Sequence, residues 1–311
     1  MKKILLSIIA TVLVTSSAFA HNPREWRKLR QNINIFWASD LDRNGCFDQR
    51  AIANLMGTMA GKIRPECIVL TGDTHHGNGV KSVSDDDWRE NYEEIYNHPK
   101  LNIDWWAVAG NHEYRDNSQA LIDYAKVNPR WKMPAKYYTK VFKKGSATIR
   151  FVMLDTTPLI EKFRNSDKYP DARLQDYKAQ LEWLESVLSS AKEDWVVVAG
   201  HHPIHADTKK VKAERTDMRN NVDKILRQHD NVAMYLCGHI HNFQHLRDKN
   251  SHIDYVITSS ASLSRSVNIT KSTVFCSPEP GFSVITASKK RLSVHMIDKN
   301  GNVLHTVTRS K

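Results

Sequence analysis

Five short apolar runs in this chain each break off at a cluster of aspartate, asparagine or histidine. Ile33 to Ala38 leads into Asp40-Leu41-Asp42, Ile68 to Leu70 into Gly72-Asp73-Thr74-His75-His76, and Trp105 to Ala109 into Gly110-Asn111-His112-Glu113. Later, Trp195 to Ala199 leads into Gly200-His201-His202, and Val232 to Cys237 into Gly238-His239-Ile240-His241. Runs this short and continuously apolar suit strands covered on both faces, so they belong at central positions of a sheet with other layers packed over it. The glycine beside four of the clusters permits a tight turn where the strand ends. The polar residues therefore fall in strand-end loops.

Helical segments separate some of these strands. Gln49 to Met59 has recurrent apolar positions, and Trp88 to Tyr96 reads as a second short helix. Leu174, Tyr177, Leu181, Leu184 and Leu188 form a stripe at spacings of three and four, a face for packing on a sheet. Beyond Asn250 the texture turns to strands: Tyr255 to Thr258, Gly281 to Thr286, Arg291 to Ile297 and Val303 to Val307, with Asn300-Gly301 marking a hairpin. These predict an α/β fold in which a second sheet packs on the first within a single domain, residues 21–311. Lys162 to Tyr169 and Ala206 to Met218 read as polar loops.

The first twenty residues read as a signal peptide. Lys2 and Lys3 precede the apolar run Ile4 to Val14, and Ala18-Phe19-Ala20 supplies the small-x-small cleavage pattern. The apolar run is too short for a membrane anchor, which needs about 20 residues. A periplasmic or secreted protein is expected. Removing Lys2 and Lys3 lowers the formal charge from +11 to +9, which still draws anions and favours phosphate-bearing substrates. Lys209, Lys210, Lys212 and Arg215 form the densest basic group, read as a solvated face rather than the footprint of an obligate nucleic-acid partner. Export permits disulfides, and four cysteines allow three complete pairings. Cys67 and Cys237 read as buried strand thiols, Cys46 and Cys276 as turn residues. No cysteine spacing resembles a metal knuckle, and no Gly-x-Ser-x-Gly elbow places a serine nucleophile.

The residue types that remain suit two metal ions. Asp73 has two carboxylate oxygens with which to bridge a pair of cations. Asp40 and His241 suit the first ion; Asn111, as a neutral oxygen donor, and His201 and His239, as imidazoles, suit the second. In a regular strand His239 and His241 would point to opposite faces. At a turn after Cys237 they can instead diverge toward adjacent cations. Each cluster alone has an ordinary reading as a turn, a helix cap or a core histidine; their ordered recurrence after successive strands is what points to a metal centre.

Further segments carry a resemblance: Gln49-x6-Met56, the run Trp88-Arg89-Glu90-Asn91-Tyr92-Glu93-Glu94-Ile95-Tyr96, Trp106 to Glu113, and Val198-Ala199-Gly200-His201-His202-Pro203-Ile204. On these the chain from Ile33 to Val307 resembles the metallophosphoesterase superfamily, in its low-molecular-weight, tartrate-resistant-like purple acid phosphatase branch. The resemblance implies a four-layer α/β/β/α sandwich with two packed mixed sheets, and hydrolysis of phosphomonoesters by a hydroxide activated between two metal ions. It implies a ferric site of Asp40, Asp73 and His241, and a divalent site of Asp73, Asn111, His201 and His239 holding iron, zinc or manganese. His112 matches a histidine that contacts phosphate and assists departure of the alkoxide. Substrates would be small phosphate esters or phosphorylated peptides. A phosphodiesterase or nucleotidase on the same scaffold, or an exported binding or scaffold protein with a weakened metal site, are the alternatives.

The chain departs from that branch at named positions. His76 stands where the pattern Gly-Asp-x-x-Tyr places a tyrosine whose phenolate gives ferric enzymes their purple colour, so that absorption is expected to be missing. Either His76 supplies a neutral ligand and leaves room for two divalent ions, or it turns away and the first site is damaged. Asp42 stands where the branch has glycine; it is an extra oxygen ligand, a partner for His76, or a solvent-facing turn residue. The histidine usual nine residues after His201 is Lys210, which leaves Lys210, Lys209 or His205 to approach the phosphate. Thr258-Ser259-Ser260-Ala261 lacks the glycine of the branch's Ser-Gly-Ala-Gly turn.

Overall fold

The structure, a computed structural model, describes residues 23–41, 43–208 and 211–311. The proposed signal peptide, Asp42, Lys209 and Lys210 lie outside the described residues. In chain order the strands are β1 (Ile33–Ala38), β2 (Cys67–Thr71), β3 (Asp104–Val108), β4 (Trp131–Lys132), β5 (Tyr138–Lys144), β6 (Ala147–Met153) and β7 (Trp195–Ala199). They continue with β8 (Val232–Cys237), β9 (Phe243–Arg247), β10 (Asp254–Ile257), β11 (Thr273–Ser277), β12 (Gly281–Ala287), β13 (Arg291–Asp298) and β14 (Val303–Ser310). Two seven-stranded mixed sheets result, ordered β14-β13-β12-β1-β2-β3-β4 and β11-β9-β10-β8-β7-β6-β5.

The five apolar runs become β1, β2, β3, β7 and β8. Every residue of β1, β2, β7 and β8 is buried, as central strands require. β1, β2 and β3 run parallel, so Asp40, Asp73 and Asn111 follow strand ends at one edge of the first sheet. β7 and β8 are likewise parallel, which brings the His201 and His239 loops to one edge of the second. The helix Gln49–Ile63 joins β1 to β2 and buries Ile52, Ala53, Met56, Met59, Ala60 and Ile63. Tyr177–Ser190 joins β6 to β7.

Several expectations need correction. The C-terminal strands do not build a second sheet of their own. β12, β13 and β14 return to the first sheet, with β12 antiparallel to β1, while the mid-chain strands β5 to β11 make the second. The Asn300-Gly301 hairpin does form between β13 and β14, because it is encoded by local turn chemistry; Gly301 takes φ +86°. Pairing across some 250 residues has no such local signal. Leu174 does not belong to the helical stripe: it ends a 3-10 turn, Pro170–Leu174, and is 74% exposed, and the helix starts at Tyr177 after Asp176 caps it through the Ala179 amide. The presumed loop Ala206 to Met218 contains the helix Lys212–Met218, and Glu161–Arg164 is a helical turn. Trp88–Glu93 is a π-helical turn. Cys276 lies in β11, not a turn, and all four cysteines are free thiols.

One buried histidine far from the strand-end clusters couples stability to pH. His295 on β13 sets its ring edge-on to Trp26, with centroids 5.6 Å apart, and meets Thr306 Oγ1 at 3.0 Å through Nδ1. Burial pushes its pKa down from 6.5 to about 4. The unfolded ring therefore takes up a proton before the folded one does. Its stabilising share is complete above pH 6.5 and is lost as pH falls toward 4. Acidifying from about pH 7 to about pH 5 is expected to cost the wild type about 1–2 kcal/mol more than His295→Gln, read from urea midpoints.

Candidate metal centre

The strand-end loops hold their key residues in backbone conformations that L side chains seldom adopt. Among the described residues eight non-glycine positions have positive φ, and Asp40 (53°), Asp73 (50°), His239 (73°) and His241 (57°) are four of them. Such conformations persist only where surroundings over-determine them. Here they do. The Asp40 amide donates to Gly72 O at 3.0 Å and the Leu41 amide to Asp73 O at 3.1 Å, tying the first two loops together. Ser260 and Ser262 hydroxyls donate to Asp40 O at 2.8 and 3.2 Å, so hydroxyls brace the loop in the segment that lacks the glycine of the resembling branch. Beyond Leu41, Gln49 Oε1 accepts the Arg43 and Gly45 amides, and Asn91 Oδ1 accepts the Asn44 amide.

Glu113, buried, does the same for the second and third loops. It accepts the amides of Asp73, His75 and Gly110 at 3.1, 2.9 and 2.7 Å. Burial and the Asp73 charge push its carboxyl up to about 7, which the amide bonds only partly offset.

With the loops so braced, Asp40, Asp73, His112, His201 and His241 each have one polar atom tied back and another turned inward. Asp73 Oδ1 accepts the His112 amide at 3.0 Å, and its Oδ2 lies 3.1 Å from His201 Nε2, 3.7 Å from His76 Nδ1 and 3.9 Å from His112 Nε2. Asp40 Oδ2 accepts the His239 amide at 2.9 Å; its Oδ1 lies 3.2 Å from His241 Nε2 without hydrogen-bond geometry. His201 and His241 donate through Nδ1 to Thr71 O (2.8 Å) and Leu263 O (2.7 Å). A carbonyl only accepts, so the proton sits on Nδ1 and Nε2 is the inward atom. His112 is held alike, on Gly77 O at 2.9 Å. His76 lies inside this group, stacked on His112 at 3.8 Å and edge-on to His241 at 5.0 Å.

The donor set fits metal ions. Asp40 Oδ1, His76 Nδ1, Asn111 Oδ1 and His241 Nε2 are buried yet have no hydrogen-bond partner, an arrangement too costly to leave uncompensated. Donor atoms within 4.8 Å of one another group as Asp40-His76-His241, Asp73-His76-His112, Asp40-Asp73-His201 and His201-His202-His239, overlapping sets that make one continuous centre. Two buried carboxylates also need positive charge nearby. Burial would raise the Asp73 carboxyl, but the His201, His112 and His76 rings outweigh it and hold it well below the usual range. Asp40 is held down by His241 and His201 against the same burial effect. In turn burial would lower the His201 ring, and Asp73 overcomes it, raising the pKa to about 10.

His202 is close by but differs in kind. Thr156 Oγ1 accepts both the His201 and His202 amides, at 3.2 and 3.1 Å, so its hydroxyl proton is left for His202 Nδ1 at 2.8 Å. The ring proton is then on Nε2, which makes that atom a donor and not a ligand.

The calcineurin-like phosphoesterase family profile matches residues 33–243. The chain belongs to that family. Tartrate-resistant acid phosphatase type 5 of Oryctolagus cuniculus is 34% identical over 218 residues, which are 68% of this chain and 65% of that protein. The chain thus spans just under two thirds of that relative's length. Purple acid phosphatase 17 of Arabidopsis thaliana is 27% identical over 328 aligned positions, covering 99% of this chain and 93% of its own. Among solved structures, GAP50, the anchor in the inner membrane complex of Plasmodium, matches with a TM-score of 0.74 at 20% identity, over 90% of this chain and 89% of that one. Purple acid phosphatase PPD1 from yellow lupin seeds matches with a TM-score of 0.65 at 14% identity, over 90% and 54%. At these identities the structural likeness is one of fold.

Within this calcineurin-like phosphoesterase, a cleft of about 420 Å³ opens onto Asn111, His112 and His239, and Arg115, Lys162 and Arg265 line its walls. His205 is not among the lining residues. Its Nε2 lies 3.6 Å from Asp223 Oδ2 and 3.4 Å from Arg227 Nη2, and its ring packs on Tyr255, so an ion-pair network claims it. Sequence reasoning passed over Glu214, whose Oε2 meets His239 Nε2 at 3.0 Å and whose Oε1 accepts Lys162 Nζ at 2.7 Å. Burial would raise its carboxyl, but His239 and Lys162 bring it down to about 2. The available signal was slight: Glu214 falls one helical turn before the buried Met218, on the inward face of a segment that otherwise reads as polar loop.

Proposed function

We propose that the chain hydrolyses phosphomonoesters at a centre of two metal ions held by Asp40, Asp73, His76, Asn111, His201, His239 and His241. The carrying observation is the set of buried, unpartnered donor atoms on Asp40, His76 and His241, in groups that overlap those of Asp73, with the buried, unpartnered Asn111 Oδ1 on the neighbouring strand-end loop. Ions bound there would supply Lewis acidity and an acidified water. Asp73 would serve both positions; Asn111, neutral, would hold the second without adding charge that repels a phosphate. His112 lines the cleft with Nδ1 tied to Gly77 O; in its imidazolium form, which burial disfavours and acidic pH restores, its Nε2 would pass a proton to the departing alkoxide. Arg115 and Lys162 add cations where an anionic ester would enter. With His76 in place of a phenolate the first position suits a divalent ion, so iron, zinc or manganese can occupy both.

Elemental analysis, a visible spectrum and side-by-side turnover of a phosphomonoester and a phosphodiester test this. Two metals per chain, no broad purple band and preference for the monoester are expected. A metal-loaded chain that leaves activated and natural monoesters intact at acidic and neutral pH would sink the proposal, and preference for the diester would reassign it. Residues 1–20 are proposed as a signal for export to the periplasm or beyond, ahead of a single domain. Among the described residues no helix is long and apolar enough to cross a membrane.

A further inference from the structure

We propose that Glu214 is a positioning residue for the second metal position, fixing His239 in the one tautomer that offers Nδ1 to the centre. This rests on the two-metal reading of the site. His201 and His241 turn Nε2 inward and have Nδ1 tied to a main-chain carbonyl. His239 is reversed: Nδ1 faces His201 Nε2 at 3.1 Å, and Nε2 points away from the centre. The outer nitrogen meets Glu214 Oε2 at 3.0 Å. Were that nitrogen to lose its proton, the inner one would carry it and could not bind a cation.

A carboxylate accepts only, so Glu214 keeps the proton on Nε2 and the lone pair on Nδ1. It also makes the imidazole a better electron donor, as outer carboxylates do for metal-bound histidines. The contact is built, not incidental. The Glu214 side chain is 2% exposed, and its other oxygen is occupied by Lys162. The helix Lys212–Met218 that carries it is anchored by buried Met218, and Lys162 belongs to the separate helical turn Glu161–Arg164. His202, the other ring beside His239, is fixed by Thr156 with its proton on Nε2 and cannot take over.

Titration of the metal-free protein with Zn²⁺ or Mn²⁺ tests the assignment through affinity alone. Glu214→Ala is expected to weaken the second equivalent by about 10–100-fold and leave the first unchanged, with Glu214→Gln, which keeps size and one acceptor, in between. In ¹⁵N spectra of the metal-free wild type, His239 should carry its proton on Nε2 and lose that preference in Glu214→Ala. Wild-type affinity for the second equivalent in both variants would overturn the proposal, as would a His239 proton on Nδ1 in the wild type. Should Glu214→Ala misfold, Glu214→Gln and the wild-type spectrum still decide. A wild type that takes up fewer than two ions counts against the two-metal reading instead, and the tautomer then shows separately whether Glu214 holds the ring.

Discussion

Asp73→Asn should strip the chain of its metals and lower kcat for a phosphomonoester by roughly three orders of magnitude, which is about 4 kcal/mol of transition-state stabilisation. The change is nearly isosteric. Asparagine tolerates the φ of +50° that Asp73 adopts, and its amide oxygen can still accept the His112 amide that Oδ1 takes at 3.0 Å. What is lost is charge. Asp73 Oδ2 sits among His201, His76 and His112 at 3.1, 3.7 and 3.9 Å, and Asp73 groups both with His76 and His112 and with Asp40 and His201. An amide there presents one oxygen and one NH₂, so it cannot join two cations. Far-ultraviolet circular dichroism should be unchanged, while elemental analysis falls below one ion per chain. Retention of two ions and a tenth of the rate would remove Asp73 from the bridging role.

How much of this was legible beforehand depended on whether the information was local. Asp40, Asp73, Asn111, His201 and His239 each follow a run that is apolar but for Asn34, and burial on both faces writes itself into consecutive residues. Because those strands run parallel, being at a strand end also means being at a shared edge. Residues reached from elsewhere left no comparable trace. Glu214 arrives on a short helix whose surface is polar, and only Met218 one turn on marks its inward face. His205 follows His201 closely in sequence, yet Asp223 and Arg227 draw it into a different network. The return of β12 to β1 is set by the packing of two sheets, and no residue near Gly281 announces it. Leu174 shows the opposite failure: it satisfies the spacing of the stripe, but Asp176 caps the helix after it.

Gly110→Ala should cost at least about 10²-fold in kcat although it adds a single methyl group, because small displacements of positioned groups are that expensive. A Cβ at Gly110 would stand 2.5 Å from the Asp73 amide nitrogen and 2.9 Å from its Cγ, with Oδ1 nearer still. The obstacle is main chain and cannot swing aside. One carboxylate oxygen, Glu113 Oε2, holds both the Gly110 and Asp73 amides, at 2.7 and 3.1 Å, so these loops are drawn together at the point where the methyl would enter. Asp73 must therefore move, and with it the ligand proposed to be shared by the two metal positions. Gly61→Ala is the control: its added carbon meets only Lys100 Cγ at 4.0 Å on a helix, and it should leave kcat intact and raise stability by about 0.4–1 kcal/mol. Paired measurement of kcat, bound metal and melting temperature separates damage at the site from damage to the fold. If Gly110→Ala keeps both ions and the wild-type rate, the close approach of the two loops does not set the Asp73 carboxylate, and its position must come from the His112 amide on Oδ1 with Glu113 and the Leu41 amide on its main chain.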